Sequence, residues 1–469
     1  MSAFPLELDR SAIERLGRHT VDFLAGWVSG FGDAPASDYE QTDRLVAELG
    51  RPPGDGPGDF GALLETFRQA AEQGVNTAGP GYLAYFPAGG LVTAALAELL
   101  AAAANRYTGV AQMAPALVAM EHGVLTWLCA RFGLPAGAGG LVTTGGSMAT
   151  LSALLAARQT HGDGTVYVTE HTHYCVAKAA RIIGLPADRI RAVPTTPGLS
   201  MDVRAAAAMI VADRAAGLRP FLLVGTAGTT SSGTVDPLPE LGALARREGL
   251  WFHVDAAYGG GFQLTARGRA RLAGIEAADS IVLDPHKSLF LPYGTGVLLV
   301  RDPAALHAAH AAGGRYLQDL SPADDLPDYG HLGVELTREF RGLRLWLPLH
   351  LHGVGAFERE LDEKLDLAAN AYAELSRDPR LDLPWEPDLT VILFRLRDAA
   401  DERNRRLLAD VNASRRVFLS STTIDGRFYL RLCVLSCRTH ADRVREAVAI
   451  IRTAAAAVPE LESPTGSSG

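Results

Sequence analysis

Between residues 165 and 301 the chain alternates short apolar runs with longer stretches of helical period. The short runs are TVYVT (165–169), FLLVGTA (221–227), LWFHVD (250–255), SIVLD (280–284) and GVLLVR (296–301). They have strand length and little apolar–polar alternation, which predicts strands covered on both faces. Segments such as MDVRAAAAMIVADRAAG fall between them. This order predicts βα units and an α/β fold, with a mostly parallel central sheet and helices on both faces. Ligands of such sheets bind at the carboxyl ends of the strands. Asp255 and Asp284 each close one of the apolar runs, and Lys287 follows just beyond the second.

The pattern differs on either side. SAIERLGRHTVDFLAGWVSG (11–30) is an amphipathic helix followed by the Pro/Gly-rich connector GRPPGDGPGDFG, which predicts an arm joined to a body. APALVAMEHGVLTWLCARFG (114–133) is a further amphipathic helix. A long helical stretch from about Leu336 to Leu375 precedes LTVILFRLR, the helix DERNRRLLADVNAS, RVFLSST, RFYLRLCVLS and a final helix to about Ala457. This predicts a smaller α+β C-terminal lobe. The expected divisions are a helical arm over 1–85, a large domain over 86–335, a C-terminal domain over 336–460 and a disordered tail over 461–469. No internal repeat is visible.

Composition narrows the classes of function. At 469 residues the chain can bury a large core, and 48% apolar with 21% charged residues is ordinary for a globular enzyme. A net charge of -9 gives no basic footprint for nucleic acid. Cys129, Cys175, Cys433 and Cys437 are sparse, three of them within apolar runs, which predicts buried thiols in a reducing compartment and no structural metal site. MSAFPLELDR lacks the pattern of a secretory signal, and the apolar region Leu91 to Ala104 is interrupted by Glu98 and too short to span a bilayer. A cytoplasmic protein with no membrane partner is expected.

Three segments carry chemistry. In DSIVLDPHKSLFLPYG (279–294), Lys287 sits between two apolar runs. An ammonium drawn indoors is costly unless paired or neutralised. Either its amine extends to water, as lysines in apolar surroundings commonly do, or it is a reactive amine. LVTTGGSMATLSALLAARQ opens a helix with Gly145, Gly146 and Ser147. It reads equally as an anion cradle at a helix N-terminus or as a glycine turn with a serine cap, and it matches neither the P-loop nor the dinucleotide motif. HVDAAYGG (253–260) brings the Asp255 carboxylate beside a surface of little bulk, suited to a flat ring with a protonated nitrogen. Lysine, carboxylate and helix end together make up a pyridoxal phosphate site.

The order TTGGSMATLSAL, TEHTHYCVAKAA, GTAGTTSSGTVDPL, FHVDAAYGG and LDPHKSLFLPYG resembles the group II pyridoxal phosphate-dependent amino acid decarboxylases, whose best-known members act on aromatic amino acids. The resemblance runs from AYFPAGG (84–90) to the C-terminal lobe and implies the fold-type I, aspartate aminotransferase-like architecture. It implies that Lys287 is the Schiff-base lysine, Asp255 the partner of the ring nitrogen, and Ala257 a ring contact opposite a stacking His173. Without the family, His173 would read as a surface histidine or, distantly, as half of an HxH metal pair. Gly146, Ser147 and Thr230 match positions that bind the phosphate or ring, and His286 matches the histidine before the lysine. Asp284 departs from the pattern, standing where some members carry an asparagine near the phosphate, and is left out of the expected site.

GGRYLQDLSPADDLPDYG (313–330) resembles the family's catalytic loop, with Tyr316 as proton donor and Tyr329 as its rival. The implied reaction displaces Lys287 with the substrate amine, releases carbon dioxide, returns a proton from Tyr316 with His173, and yields an amine one carbon shorter. Oxidative deamination to an aldehyde is the alternative, disfavoured because Tyr316 and His173 are both present. A non-catalytic dimeric binding protein of the same fold would require a broken lysine or aspartate, and neither is broken.

For the substrate, Ala88 replaces a threonine, Gly109 replaces a phenylalanine, and NTAGPGY lacks a tryptophan of aromatic-specific members. Tyr107 and Met113 are the candidates to refill that space. An aromatic or sizeable hydrophobic amino acid is expected, and glutamate is disfavoured. A homodimer with its site at the subunit interface is expected.

Overall fold

The computed structural model describes residues 6–312 and 326–457. Tyr316, most of the segment 313–330 and the tail 461–469 therefore lie outside the described residues.

The arm begins with α1 (Arg10–Ser29), started by Asp9, whose carboxylate accepts the Ala12 amide at 2.8 Å. Further on, α2 (Val92–Ala104) precedes a central sheet of seven strands. These are β1 (Gly139–Thr143), β2 (Thr165–Thr169), β3 (Ile190–Val193), β4 (Pro220–Thr226), β5 (Trp251–Asp255), β6 (Ser280–Leu283) and β7 (Gly296–Val300), in the order β1-β7-β6-β5-β4-β2-β3. Every residue of each strand except β3 is buried, as runs without alternation require.

The parallel expectation holds from β6 to β3, but β7 runs antiparallel to both β6 and β1. The link between β6 and β7 holds only a one-turn helix, and a parallel return needs a longer crossover. Sequence pattern did not mark β1 and β3. In β1 the glycines that hide the strand are required by it, because a Cβ on Gly140 would lie 1.9 Å from the Leu298 carbonyl oxygen.

Beyond the sheet, the predicted helical stretch 336–375 is two helices, Gly342–His352 and Val354–Ser376, parted at Gly353 with φ +72°. The C-terminal lobe carries β8 (Leu381–Asp382), β9 (Val391–Leu396), β10 (Ser420–Ile424) and β11 (Arg427–Cys433) as an antiparallel sheet, with its own apolar cluster of Leu83, Leu375, Phe394, Leu430 and Ile451. The run RVFLSST enters this sheet only from Ser420 onward. Its first part pairs instead with residues 81–83, through Phe418 N–H to the Gly81 carbonyl (2.9 Å) and Leu83 N–H to the Phe418 carbonyl (3.0 Å). A segment assigned from sequence to the arm is thus built into the C-terminal lobe, and it leads directly to Tyr85 and Phe86.

One polar residue of the core has a pH signature. His253 in β5 is fully buried, its Nδ1 lies 2.8 Å from the Ser280 hydroxyl, and that hydroxyl accepts the Trp251 indole N–H at 2.8 Å. Burial pushes the imidazole pKa down to about 4, so the fold holds the neutral ring. Its contribution to stability is full above the free-histidine value of about 6.5 and is lost as pH falls toward 4, at about 1.4 kcal/mol per pH unit. Urea unfolding between pH 6.5 and 4 should show a shallower loss of stability in His253→Gln than in the unsubstituted chain; equal slopes would rule out this assignment.

Candidate active site

A cavity of about 290 Å³ opens at the carboxyl ends of the central strands. Its anion-facing wall follows from β1. After Thr143 the backbone turns at Gly145, with φ +150°, a conformation open essentially to glycine, and α3 (Gly146–His161) begins. The Thr143 hydroxyl donates to the Gly145 carbonyl at 3.0 Å and fixes the turn. No side chain caps α3, so its first amides are left for a ligand at the positive end of the helix dipole. Gly146 and Ser147 line the cavity there.

Asp255 closes β5 and is 6% exposed, with one carboxylate oxygen accepting the Ala257 amide at 3.0 Å. Asp284 follows β6 and starts the one-turn helix α4 (Pro285–Ser288), whose Pro285 suits a first helical position. Lys287, on α4, places its Nζ 3.0 Å from Asp284 Oδ2. His286 donates from Nδ1 to the Thr295 carbonyl at 2.6 Å, which leaves Nε2 3.7 Å from the same Asp284 oxygen.

His173 enters from the loop after β2. Its Nδ1 accepts the Cys175 amide at 3.2 Å, and burial pushes its pKa below the ordinary value, partly offset by the charge of Asp255. The neutral ring therefore carries its proton on Nε2. Thr230 and Ala257 complete the expected set. Gly146, Ser147, His173, Thr230, Asp255, Ala257, His286 and Lys287 all line this one cavity.

Asp284, outside the expected site, lines it too, and its carboxylate meets the lysine amine at 3.0 Å. Two aromatic residues were also missed. Phe86 stacks on Tyr258 at 4.3 Å, and the Lys287 amine lies 5.3 Å from its ring centre. Tyr258 is anchored across the lobes by its hydroxyl, which accepts the Thr390 amide at 2.8 Å. Gly228, with φ +99°, lets the loop after β4 pass over that ring, where a Cβ would meet Tyr258 Cδ1 at 2.5 Å.

Behind Phe86 stands Arg431 of β11, its guanidinium carbon 4.7 Å from the ring centre. It donates to the carbonyls of Tyr85 (2.7 Å) and Ser231 (3.1 Å), while its Nη2 is buried with no partner. The motif signal for Phe86 and Tyr258 was present in AYFPAGG and HVDAAYGG; that for Arg431 was not, because it acts through the docking of one lobe on the other.

The remaining expectations divide. Tyr329 is buried under Arg338, whose guanidinium carbon is 4.7 Å from its ring centre, and does not line the cavity. Ala88 lines a smaller neighbouring pocket with Thr77 and Tyr293. Tyr107 and Met113 do not line the cavity of this chain. The space a side chain on Gly109 would take is filled by Tyr107, whose hydroxyl donates to the Leu336 carbonyl at 2.9 Å.

An uncapped helix start suited to an anion, a buried carboxylate and a lysine amine converge at the strand ends, in the fold of the fold-type I pyridoxal phosphate enzymes. Residues 53–397 match the family model of the pyridoxal-dependent decarboxylase conserved domain, and the chain belongs to that family. It is a pyridoxal phosphate-dependent carboxy-lyase. It is 34% identical to a tyrosine decarboxylase of Oryza sativa subsp. japonica, over 97% of this chain and 92% of that one. It is 30% identical to an aromatic-L-amino-acid decarboxylase of Bacillus atrophaeus, over 96% and 97%. The crystal structure of Oryza sativa TDC with PLP and tryptamine is similar with a TM-score of 0.92 and 28% identity, covering 97% of this chain and 99% of that one.

Proposed function

We propose that the chain converts an L-amino acid with an aromatic or sizeable hydrophobic side chain to its amine and carbon dioxide. The observation that carries this is the convergence of Lys287, Asp255 and the uncapped start of α3 on one cavity. The decarboxylases of tyrosine and aromatic amino acids among its relatives support the side-chain class.

These residues fit pyridoxal phosphate. Gly146 and Ser147 would hold the phosphate, Thr230 and Ala257 the ring, and Asp255 the proton on the ring nitrogen. When bound, the cofactor supplies an electron-poor ring that accepts the electron pair left by the departing carboxylate. Lys287 would anchor the aldehyde carbon by its amine and give way to the substrate amine. The neutral imidazole of His173, with its proton on Nε2, faces the same space and would orient the substrate. Tyr316 would return a proton to the carbon that has lost carbon dioxide, with His173 assisting, which conserves the amine and completes the balance.

The test is a screen of amino acids for carbon dioxide and the matching amine. Aromatic amino acids should turn over at least about tenfold faster than glutamate, a ratio within the reach of pocket contacts. Borohydride should bleach the yellow protein and label Lys287, and Lys287→Ala should lose both colour and turnover. No release from any aromatic amino acid would overturn the proposal, and hydrogen peroxide with an aldehyde product would favour the oxidative reaction.

A homodimer is part of the same proposal. Helix α1 buries none of its residues in the single chain, yet exposes Ile13, Val21 and Leu24, and α2 exposes Val92, Leu96, Leu99 and Leu100 at helical spacing. Faces of this kind call for a partner surface, and self-association with two-fold symmetry supplies one. Tyr107 and Met113, outside the cavity of their own chain, would then complete a neighbour's pocket. Light scattering should give about twice the 49.7 kDa of one chain; a monomer at working concentration would count against the interface site. Free thiols at all four cysteines fit a reducing, cytoplasmic setting.

A further inference from the structure

Asp284 takes no part in the chemistry proposed above, yet its position relative to the lysine is closely defined. It follows β6 and starts α4, and the Lys287 amide donates to the Asp284 carbonyl at 2.8 Å, so the helical turn brings the lysine back over its own aspartate. The carboxylate is 4% exposed. One oxygen meets the Lys287 amine at 3.0 Å; the other is buried without a hydrogen-bond partner. A Cβ on Gly146 would lie 2.9 and 3.1 Å from these two oxygens, so the group rests against the start of α3.

The other charged and titratable groups around it are accounted for. His286 shares α4 and has its Nδ1 committed to the Thr295 carbonyl, with Nε2 3.7 Å from Asp284. His173, from the loop after β2, is held neutral chiefly by burial. Asp255, from β5, is turned to the Ala257 amide. Lys287 is the cation in direct contact with the carboxylate, and a buried carboxylate is costly unless such a partner stays charged.

We propose that Asp284 is a positioning residue that holds the Lys287 amine in an ion pair, turned from an incoming aldehyde until the C=N bond forms, and thereby sets how fast the chain takes up its cofactor. This rests on Lys287 being the lysine that carries the cofactor. In the step concerned, a C=N bond forms between Nζ and the aldehyde carbon. Two of the three ammonium protons leave with the carbonyl oxygen as water, one proton stays on nitrogen, and the net charge is unchanged. The amine has to leave the carboxylate before it can attack, so the buried ion pair slows capture. An asparagine at this position could accept a hydrogen bond from the amine but, being uncharged, would release it more readily.

The experiment uses the full chain freed of bound aldehyde by dialysis, with pyridoxal as the probe because it carries no phosphate to interact with Asp284. Capture is followed by absorbance, trapped with borohydride and located by peptide mapping. Asp284→Asn, nearly isosteric, and Asp284→Ser, smaller and neutral, should both capture pyridoxal on Lys287 about tenfold faster at pH 7 than the unsubstituted chain, the factor that losing about 1.4 kcal/mol of ion pairing gives. A purely structural role predicts the reverse, since a loosened α4 would present the amine less well. Equal or slower capture by both variants, with unfolding midpoints showing that they are folded, overturns the inference while leaving Lys287 as the cofactor lysine. Failure of any chain, the unsubstituted one included, to be labelled at Lys287 would instead remove the function proposed above.

Discussion

Lys287 must keep its amine in an open cavity while the runs 281–285 and 288–291 on either side of His286 and Lys287 are buried, and a helix of one turn meets both demands. Pro285 starts the turn, the amine emerges from it, and Leu289, Phe290 and Leu291 return to the core with Phe290 at φ +64°. So short a link cannot carry the chain back across the sheet, and β7 therefore runs antiparallel to β6. Because β1 is antiparallel to β7 in turn, it points the same way as β6 and ends at the same edge. The start of α3 arrives beside the lysine for that reason. Gly296 allows the contact, since a Cβ there would lie 2.4 Å from the Gly145 carbonyl carbon.

Those parts of the fold whose physics is local were legible in the sequence. The buried strands announce themselves by unbroken apolar runs, and TVYVT coincides with β2 at both ends. Asp255, Lys287 and the glycine pair before Ser147 could be placed at one edge because strand ends locate them. What could not be read depends on which distant segment packs where. Nothing in GGLVT distinguishes a strand from a turn until Leu298 is seen to exclude a side chain at Gly140. The first half of RVFLSST looks like a strand of the C-terminal sheet, yet its partner is Gly81–Leu83. Asp284 falls outside the expected site because sequence shows only its departure from an asparagine; the cation that pairs with it, Lys287 three residues on, becomes visible only when the turn between them is seen.

The C-terminal lobe reaches the cavity through that same pairing. Leu83 is bonded to Phe418 on one side and, through its carbonyl, to the Cys433 amide at 2.9 Å on the other, which fixes the direction in which Tyr85 and Phe86 leave the lobe. Phe86 is then held between Tyr258 of the large domain and Arg431 of the lobe. A desolvated guanidinium over an aromatic face contributes about 2 kcal/mol, and burial pushes the pKa of Arg431 below its ordinary value. Carbonyls and a ring, rather than a carboxylate, surround the charge, so displacing Phe86 would leave Arg431 more poorly satisfied than before. The wall facing Lys287 is stiffened by that dependence.

The two aspartates of the cavity divide its electrostatics. Asp284 has its cation within the chain, at 3.0 Å. Asp255 forms no ion pair among the described residues, and its one hydrogen bond comes from a backbone amide. A carboxylate 6% exposed in that condition calls for a positive partner or a proton. His173 does not meet the need, because burial keeps it neutral. In the proposed assignment the missing charge would come with the protonated ring nitrogen of the cofactor, and Asp255 would then favour its electron-poor form, the form that can accept the electron pair of a departing carboxylate.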